Sequence, residues 1–229
     1  ESLRPNTIEE VFELADALMA DDQKSICKEL GDVLMHVAFY SKIGSEKGTF
    51  DIADVCNALS DKLVFRHPHV FGEVKADDAE TVSQNWERLK LKEKDGNKTV
   101  LAGVPRALPA LIKANRIQEK VAHVGFDWER PEQVWEKVKE EIGETESEIK
   151  AGHKDDVEAE FGDLFFSLVN AARLYGVNPE NALERTNRKF ISRFNYLEAK
   201  AKEMGRSLKE MSLADMDAIW EEAKTKARD

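Results

Sequence analysis

The chain has 229 residues, of which 41% are hydrophobic and 34% charged, and its formal net charge is −11. This length and apolar content allow a sizeable core, but the negative charge argues against a general nucleic-acid binder, because few cations remain to neutralise phosphates. Cys27 and Cys56 are too few for a disulfide framework, so we expect them to be small core residues of a soluble, cytoplasmic protein. A run of about 18 apolar residues, which a membrane helix requires, is absent from the sequence.

Apolar residues recur at helical spacing along almost the whole chain, as in Val11, Leu14 and Leu18, and this pattern predicts an all-α protein. Glycine, proline and small polar residues interrupt the pattern near 20–22, 44–49, 66–69, 95–97, 103–105, 125, 151–152 and 176–179. The best boundary is the polar segment at 94–105. We therefore expect an N-terminal unit at 1–95, a linker at 96–105 and a C-terminal unit at 106–229.

The segments 9–36 and 140–167 carry the same acidic pattern. Their acidic residues are separated by 3, 16 and 3 positions in both copies, namely Glu10, Glu13, Glu29 and Asp32 in the first and Glu141, Glu144, Glu160 and Asp163 in the second. The correspondence continues downstream, where Lys62, Arg66 and Trp86 match Lys189, Arg193 and Trp220. A repeat at this long offset indicates two units that carry the same parts in the same order.

This spacing predicts that the carboxylates of each copy lie together. Residues three apart share a helix face, so each copy holds two carboxylate pairs. Both pairs lie about eight residues, or roughly 12 Å, from a turn near Asp21 or Gly152, so an antiparallel hairpin brings them level. Carboxylates at one level repel unless a cation intervenes, and an all-oxygen set suits Mg²⁺ or Mn²⁺. Acidic residues that only keep a helix face in contact with solvent need no fixed spacing, so the duplicated spacing favours a metal site.

Other residues leave alternatives open. A di-iron bundle needs Glu-x-x-His on two helices, which this sequence lacks. His36 follows Asp32 by four residues, but its counterpart is Ser167, so we interpret His36 as a core or rim histidine. The segment HPHVF at 67–71 is interpreted as structural, because proline imposes a turn. Lys189 and Arg193 form either a salt-bridged helix face or, with Lys137, a polyphosphate clamp, and Trp220 is either a core residue or a base-stacking platform.

The repeated acidic motif, joined by VPRALPALIKANRIQEKVAHVGFDW at 104–128, resembles the MazG family of nucleoside triphosphate pyrophosphohydrolases over nearly the whole chain. The resemblance implies two tandem four-helix units, bundles completed by homodimerisation, and Mg²⁺-dependent hydrolysis of nucleoside triphosphates to nucleoside monophosphate and pyrophosphate. It also implies that the four acidic residues of the second copy bind the metal. Phosphate contacts are implied for Lys137, Lys189 and Arg193, and proximity to the nucleotide for Trp220.

The two copies differ at one cation. Asn6 stands where the second copy has Lys137, so we expect the main catalytic site in the C-terminal unit and either a weaker site or a structural and regulatory copy in the N-terminal unit. The expected reaction is metal-assisted attack of water on the α-phosphorus, with Glu140 or Glu141 accepting the proton. A pyrophosphatase restricted to dCTP or dUTP, and a non-catalytic helical interaction module, remain alternatives to an enzyme that cleans the nucleotide pool.

Overall fold

The computed structural model describes residues 1–72, 89 and 99–226. This described part contains helices and no strand, so the predicted all-α class is confirmed. The chain divides into two compact units, Glu1–Lys94 and Asp95–Asp229, which are called unit 1 and unit 2 below. Trp86 and residues 96–98 of the predicted linker lie outside the described residues.

Unit 1 is built on an antiparallel hairpin of α1 (Arg4–Ala20) and α2 (Gln23–Glu46). Asp21 ends α1 in the left-handed conformation with φ 52°, and the Asp22 carboxylate caps α2 by accepting backbone N–H groups of that helix's first turn. The turn therefore lies where the acidic spacing requires it. After the hairpin come α3 (Ile52–Arg66) and a single turn, α4 (Pro68–Phe71), and the proline of HPHVF begins that turn as expected.

The predicted break at 44–49 begins too early. Helix α2 continues through Gly44 to Glu46, because this glycine serves a close approach and does not end the helix: a Cβ on it would lie 2.7 Å from the carbonyl oxygen of Phe50. The turn itself falls at Gly48, which has φ 65°.

The expectation that both cysteines are core residues is wrong, since Cys27 and Cys56 are both exposed. On α2 the buried positions include Glu29 and His36. At about 100° per residue, Cys27 lies on the side of the helix opposite to both of them. Helix α3, which carries Cys56, has no buried residue among those described.

Unit 2 contains a second hairpin, formed by α6 (Gln133–Ala151) and α7 (Lys154–Leu174). Gly152 makes the turn with φ 79°, at the predicted position. Beside the hairpin lie α5 (Ala110–Ala122), which packs on α7 and α8 (Pro179–Glu203), and α9 (Leu213–Lys226), which packs on α8 after a 3₁₀ turn at Leu208–Glu210. The hairpin core is apolar and consists of Val134, Val138 and Ala171, covered by Leu164 and Leu174.

Both hairpins leave large apolar side chains exposed. In unit 1 these include Phe12, Leu34 and Phe39, and in unit 2 Phe161, Phe165 and Phe166. Leu34 and Phe165 occupy equivalent positions of the two acidic repeats and are 66% and 58% exposed. Large apolar side chains that are exposed at equivalent positions of both hairpins are typical of interaction surfaces. Among the described residues, no helix combines the length and the apolar character that crossing a membrane requires.

Candidate functional site

Three carboxylates converge where α6 and α7 run side by side in unit 2. Glu141, Glu144 and Glu160 each offer an oxygen within 4.8 Å of the other two. Glu141 is buried, Glu160 half-buried and Glu144 exposed, so the cluster spans from the hairpin core to solvent. Asp163 lies one turn beyond Glu160 and lines the adjacent cavity together with Glu141. The hairpin thus places the four acidic residues of the repeat in one region.

The cluster is electrostatically unfavourable without a counter-charge. Burial raises the pKa of the Glu160 carboxyl above its ordinary value, and the negative charges of Glu144, Asp163 and Glu141 raise it further. The donor set consists of oxygens, which are the ligands that Mg²⁺ and Mn²⁺ prefer. The residues at this site therefore fit a hard divalent cation, which would relieve the repulsion that a proton otherwise relieves.

The raised pKa of Glu160 has a consequence for stability. The folded protein holds the Glu160 proton more tightly than the unfolded chain does, so protonation of this carboxyl stabilises the fold. This stabilisation is complete below the ordinary pKa of 4.5 and is lost as pH rises through the higher pKa that Glu160 has in the folded protein. We expect Glu160→Gln to raise the melting temperature of the metal-free protein at pH 7 but not at pH 4. The measurement is thermal unfolding in chelator at both pH values. Glu158→Gln, on the same helix but outside the cluster, is the control, and an equal gain in both variants would contradict the explanation.

Lys137 joins the two residues proposed to accept the proton. Its Nζ lies 2.8 Å from Glu140 Oε1 and 2.7 Å from Glu141 Oε1. These contacts, first with Glu140 and then with Glu141, raise the pKa of Lys137 well above its usual range. Lys137 is therefore charged at any physiological pH and holds the two carboxylates side by side at the edge of the cluster.

The cations of α8 form a second group. Lys189 is exposed and makes no ion pair with any residue that the structure describes. The Arg193 guanidinium lies over the Trp220 ring, 5.9 Å from its centroid, and the Phe190 ring lies 5.0 Å from the same indole. The Nε of Arg193 is buried without a hydrogen-bond partner. Trp220 thus packs against α8, and Lys189 is the more accessible of the two cations.

A cavity of about 760 Å³ opens beside the carboxylates and was not predicted from the sequence. It lies within unit 2, and its lining combines Lys137, Glu141 and Asp163 with the polar Gln118 and Asn170 and with the aromatic Phe126 and Trp128. Its volume lies within the range of small-molecule sites, roughly 300 to 1,000 Å³. The cavity therefore joins the charged cluster to a partly aromatic chamber of ligand size.

An ion pair braces the rim of this cavity. Arg173 on α7 donates two hydrogen bonds to the Asp127 carboxylate, at 2.9 and 2.5 Å, and two further ones to Asn170 Oδ1, at 3.1 and 2.8 Å. Such bidentate pairs fix orientation as well as contributing energy. Arg173 and Asp127 are 46 residues apart in the sequence, so their contact could not be predicted from spacing. It forms because the segment after α5 packs against α7.

Unit 1 carries the equivalent acidic cluster. Glu10, Glu13 and Glu29 each offer an oxygen within 4.8 Å of the others. The charge of Glu29 raises the pKa of Glu13, to which burial and the charge of Glu10 add. Lys28 offsets part of this charge, since its Nζ lies 2.9 Å from Glu29 and 3.7 Å from Asp32.

The remaining predicted residues of unit 1 lie on or beyond α3. Lys62 is exposed, Arg66 is half-buried, and Trp86 is outside the described residues. The first unit therefore repeats the carboxylates of the second, with asparagine where the second has Lys137.

Comparison with known proteins gives a family for these features. A model of the MazG nucleotide pyrophosphohydrolase domain matches residues 1–71 and 129–197, which include both acidic hairpins. The chain is 42% identical over 225 residues to the nucleoside triphosphate pyrophosphohydrolase/pyrophosphatase MazG of Thermotoga maritima, covering 98% of this chain and 86% of that protein.

Two further relatives also align with nearly the whole chain. The nucleoside triphosphate pyrophosphohydrolase of Escherichia coli K12 is 39% identical over 227 residues, covering 97% of this chain and 86% of the relative. The uncharacterized protein YabN of Bacillus subtilis is 48% identical over 230 residues, which are 100% of this chain but 47% of that protein.

Proposed function

The chain belongs to the MazG family, as its acidic repeat predicts, and on that premise we propose that it hydrolyses nucleoside triphosphates to nucleoside monophosphate and pyrophosphate in unit 2. The observation that carries the proposal is the convergence of Glu141, Glu144 and Glu160 beside Lys137 and a ligand-sized cavity. A polyphosphate would lie at the carboxylate end of this cavity and the nucleoside in its aromatic part. The relatives' names support this reaction class.

Glu141, Glu144, Glu160 and Asp163 would hold Mg²⁺, with Mn²⁺ as the alternative. Bound there, the cation would offset the charge between an acidic protein and an anionic substrate and would polarise the phosphoryl oxygens. This role is supported by the oxygen-only donor set and by the raised pKa of the Glu160 carboxyl, which burial and the neighbouring carboxylates cause.

Glu140 is the better candidate for the proton acceptor. Glu141 belongs to the carboxylate cluster and its side chain is 6% exposed, whereas the Glu140 side chain is 56% exposed and lies outside the cluster. Lys137 contacts Glu140 and so orients it. A water molecule beside Glu140 would lose its proton to this carboxylate as it attacks the α-phosphorus.

Cations of α6 and α8 would bind the phosphates. Lys137 would exchange a carboxylate partner for a phosphate oxygen, and Lys189, which has no ion-pair partner in the described part of the chain, would neutralise the departing pyrophosphate with Arg193. The Trp220 ring lies under the Arg193 guanidinium carbon, and this cation–π contact helps to set the position of Arg193.

A second copy of the chain would cover the exposed apolar faces of the hairpins. Leu34 and Phe165 occupy equivalent positions of the two units, and both expose apolar side chains. Such an arrangement is needed if each hairpin pairs in the same way with helices of the second copy. Pairing of two copies would complete four-helix bundles and enclose the carboxylates. The substrate and a second copy are thus the proposed partners, in a protein that clears nucleotides in the cytoplasm.

The experiment that tests the proposal measures pyrophosphate release across canonical and modified nucleoside triphosphates with Mg²⁺. We expect the native chain to release pyrophosphate from several substrates. The Glu140→Gln variant should lose this activity and still bind Mg²⁺. Glu136→Gln, one turn earlier on α6, is the control. Activity confined to dCTP or dUTP would instead favour the narrow-specificity alternative. Absence of release from every substrate would favour the helical interaction module.

A further inference from the structure

The cavity of unit 2 contains a buried amide with one unpaired end. Gln118 on α5 lines the cavity and is 3% exposed, and its Nε2 donates to the backbone carbonyl of Phe166 on α7 at 2.8 Å. Because a carbonyl oxygen can only accept, this contact fixes which end of the amide is the nitrogen. The Oε1 end is buried and has no hydrogen-bond partner among the described residues. A buried acceptor without a partner is unfavourable, so this position favours a ligand that donates a hydrogen bond.

A second amide of fixed orientation lines the same cavity. The Oδ1 of Asn170 accepts hydrogen bonds from the Nε and Nη2 atoms of Arg173, at 3.1 and 2.8 Å. The opposite end of this amide, Nδ2, is consequently a donor. Asn170 follows Phe166 by four residues, so the two residues lie on one face of α7. The cavity lining next to α7 therefore includes an acceptor from Gln118 and a donor from Asn170.

The aromatic part of the cavity is connected to this second amide. Phe126 and Trp128 line the cavity and are 79% and 41% exposed. Asp127, which lies between them in the sequence, accepts hydrogen bonds from the same Arg173 guanidinium that contacts Asn170. Exposed aromatic rings beside oriented hydrogen-bonding groups are the combination that recognises a nucleobase, by stacking on its face and by hydrogen bonds to its edge.

We propose that this part of the cavity binds the nucleobase of the substrate, with Gln118 Oε1 accepting a hydrogen bond from a base N–H and with Phe126 and Trp128 contacting the face of the base. Every canonical base has an N–H donor on its Watson–Crick edge, so Gln118 detects a feature that these bases share. Asn170 donates to an acceptor on the same edge. The inference rests on the proposed function for the position of the polyphosphate and deepens it, because it names a residue that selects among substrates.

The test compares two nucleotides that differ only in the exocyclic amino group of adenine, namely AMP and purine riboside monophosphate. Calorimetry measures their dissociation constants, and kcat/KM for pyrophosphate release is measured with the corresponding triphosphates. Purine riboside has no N–H donor on this edge and leaves Gln118 Oε1 unpaired. We expect the unsubstituted chain to bind AMP at least about tenfold more tightly and to hydrolyse ATP with a kcat/KM at least about tenfold higher.

Three variants separate recognition from structural effects. Gln118→Met keeps the length of the side chain and removes the acceptor, so it is expected to weaken AMP binding by about tenfold and to leave binding of purine riboside monophosphate unchanged. Gln133→Met, the same substitution at the start of α6 and outside the cavity lining, is the control and should keep the preference for AMP. Phe126→Leu, at an exposed position, is expected to weaken binding of both nucleotides alike, because stacking does not depend on the amino group.

Equal affinity of the unsubstituted chain for the two nucleotides would overturn the proposal. So would an equal loss for both nucleotides in a Gln118→Met variant that circular dichroism shows to be folded, since a bridging water or a contact with the sugar gives that result. Unchanged affinity in Phe126→Leu would also contradict it. A preference for AMP without pyrophosphate release would count against the proposed function and leave the base site intact, whereas equal release from the two triphosphates would support the function and overturn the base site.

Discussion

Glu144→Gln is expected to lower pyrophosphate release by at least about 100-fold at saturating Mg²⁺ and substrate. Glu144 supplies the exposed oxygen of the unit 2 cluster, and glutamine keeps the size of the side chain while removing its charge. The cation would then lose a ligand at the side of the cluster that solvent and substrate reach. The measurement is the initial rate of pyrophosphate release, together with the Mg²⁺ dependence of thermal unfolding.

Glu13→Gln is the matched variant for this test, since Glu13 is the equivalent exposed carboxylate of unit 1. We expect Glu13→Gln to lose less pyrophosphate release than Glu144→Gln, because unit 1 has Asn6 in place of the cation that Lys137 supplies in unit 2. Equal losses in the two variants would contradict the assignment of catalysis to unit 2. Unchanged release in Glu144→Gln would count against a metal role for the cluster itself.

Phe165→Gln is expected to dissociate the proposed dimer and to reduce activity with it. Phe165 is 58% exposed on α7, and burying such a side chain stabilises an interface by about 1.5 to 3 kcal/mol. In a two-fold dimer each copy buries its own Phe165, so this stabilisation occurs twice. The dissociation constant should therefore rise by at least about 100-fold. Glutamine is chosen because it leaves the charge beside Asp163 unchanged. Sedimentation velocity over a range of protein concentrations measures the effect.

Two further variants complete this experiment. Leu34→Gln changes the equivalent position of unit 1 and tests whether both hairpins contribute to association. Leu213→Gln, at a residue that is 80% exposed at the start of α9, is the control for removing an exposed apolar side chain elsewhere. A native chain that sediments as a monomer, or a Phe165→Gln variant that stays dimeric, would contradict the proposed pairing.

The acidic hairpins could be predicted because their geometry depends on local rules. Helical periodicity places residues three apart on one face, and Asp22 and Gly152 mark turns by their own capping and backbone preferences. Equal spacing from the turn then brings Glu144 and Glu160 level, as observed. The family could be inferred for the same reason, since the motif that identifies it is a spacing.

Features that depend on contacts between distant segments could not be predicted. The cavity of unit 2 exists because α5 and the loop after it pack on α7, where Arg173 meets Asp127. The exposure of Cys27 shows the same limit, because apolar character alone does not say which side of a helix is covered.

The measurement that tests the central claim most directly is hydrolysis of a nucleoside triphosphate in ¹⁸O-labelled water, with the products analysed by mass spectrometry. If water attacks the α-phosphorus in unit 2, one labelled oxygen enters the nucleoside monophosphate and the pyrophosphate is unlabelled. Label in the pyrophosphate, or nucleoside diphosphate and inorganic phosphate as the first products, would contradict the account.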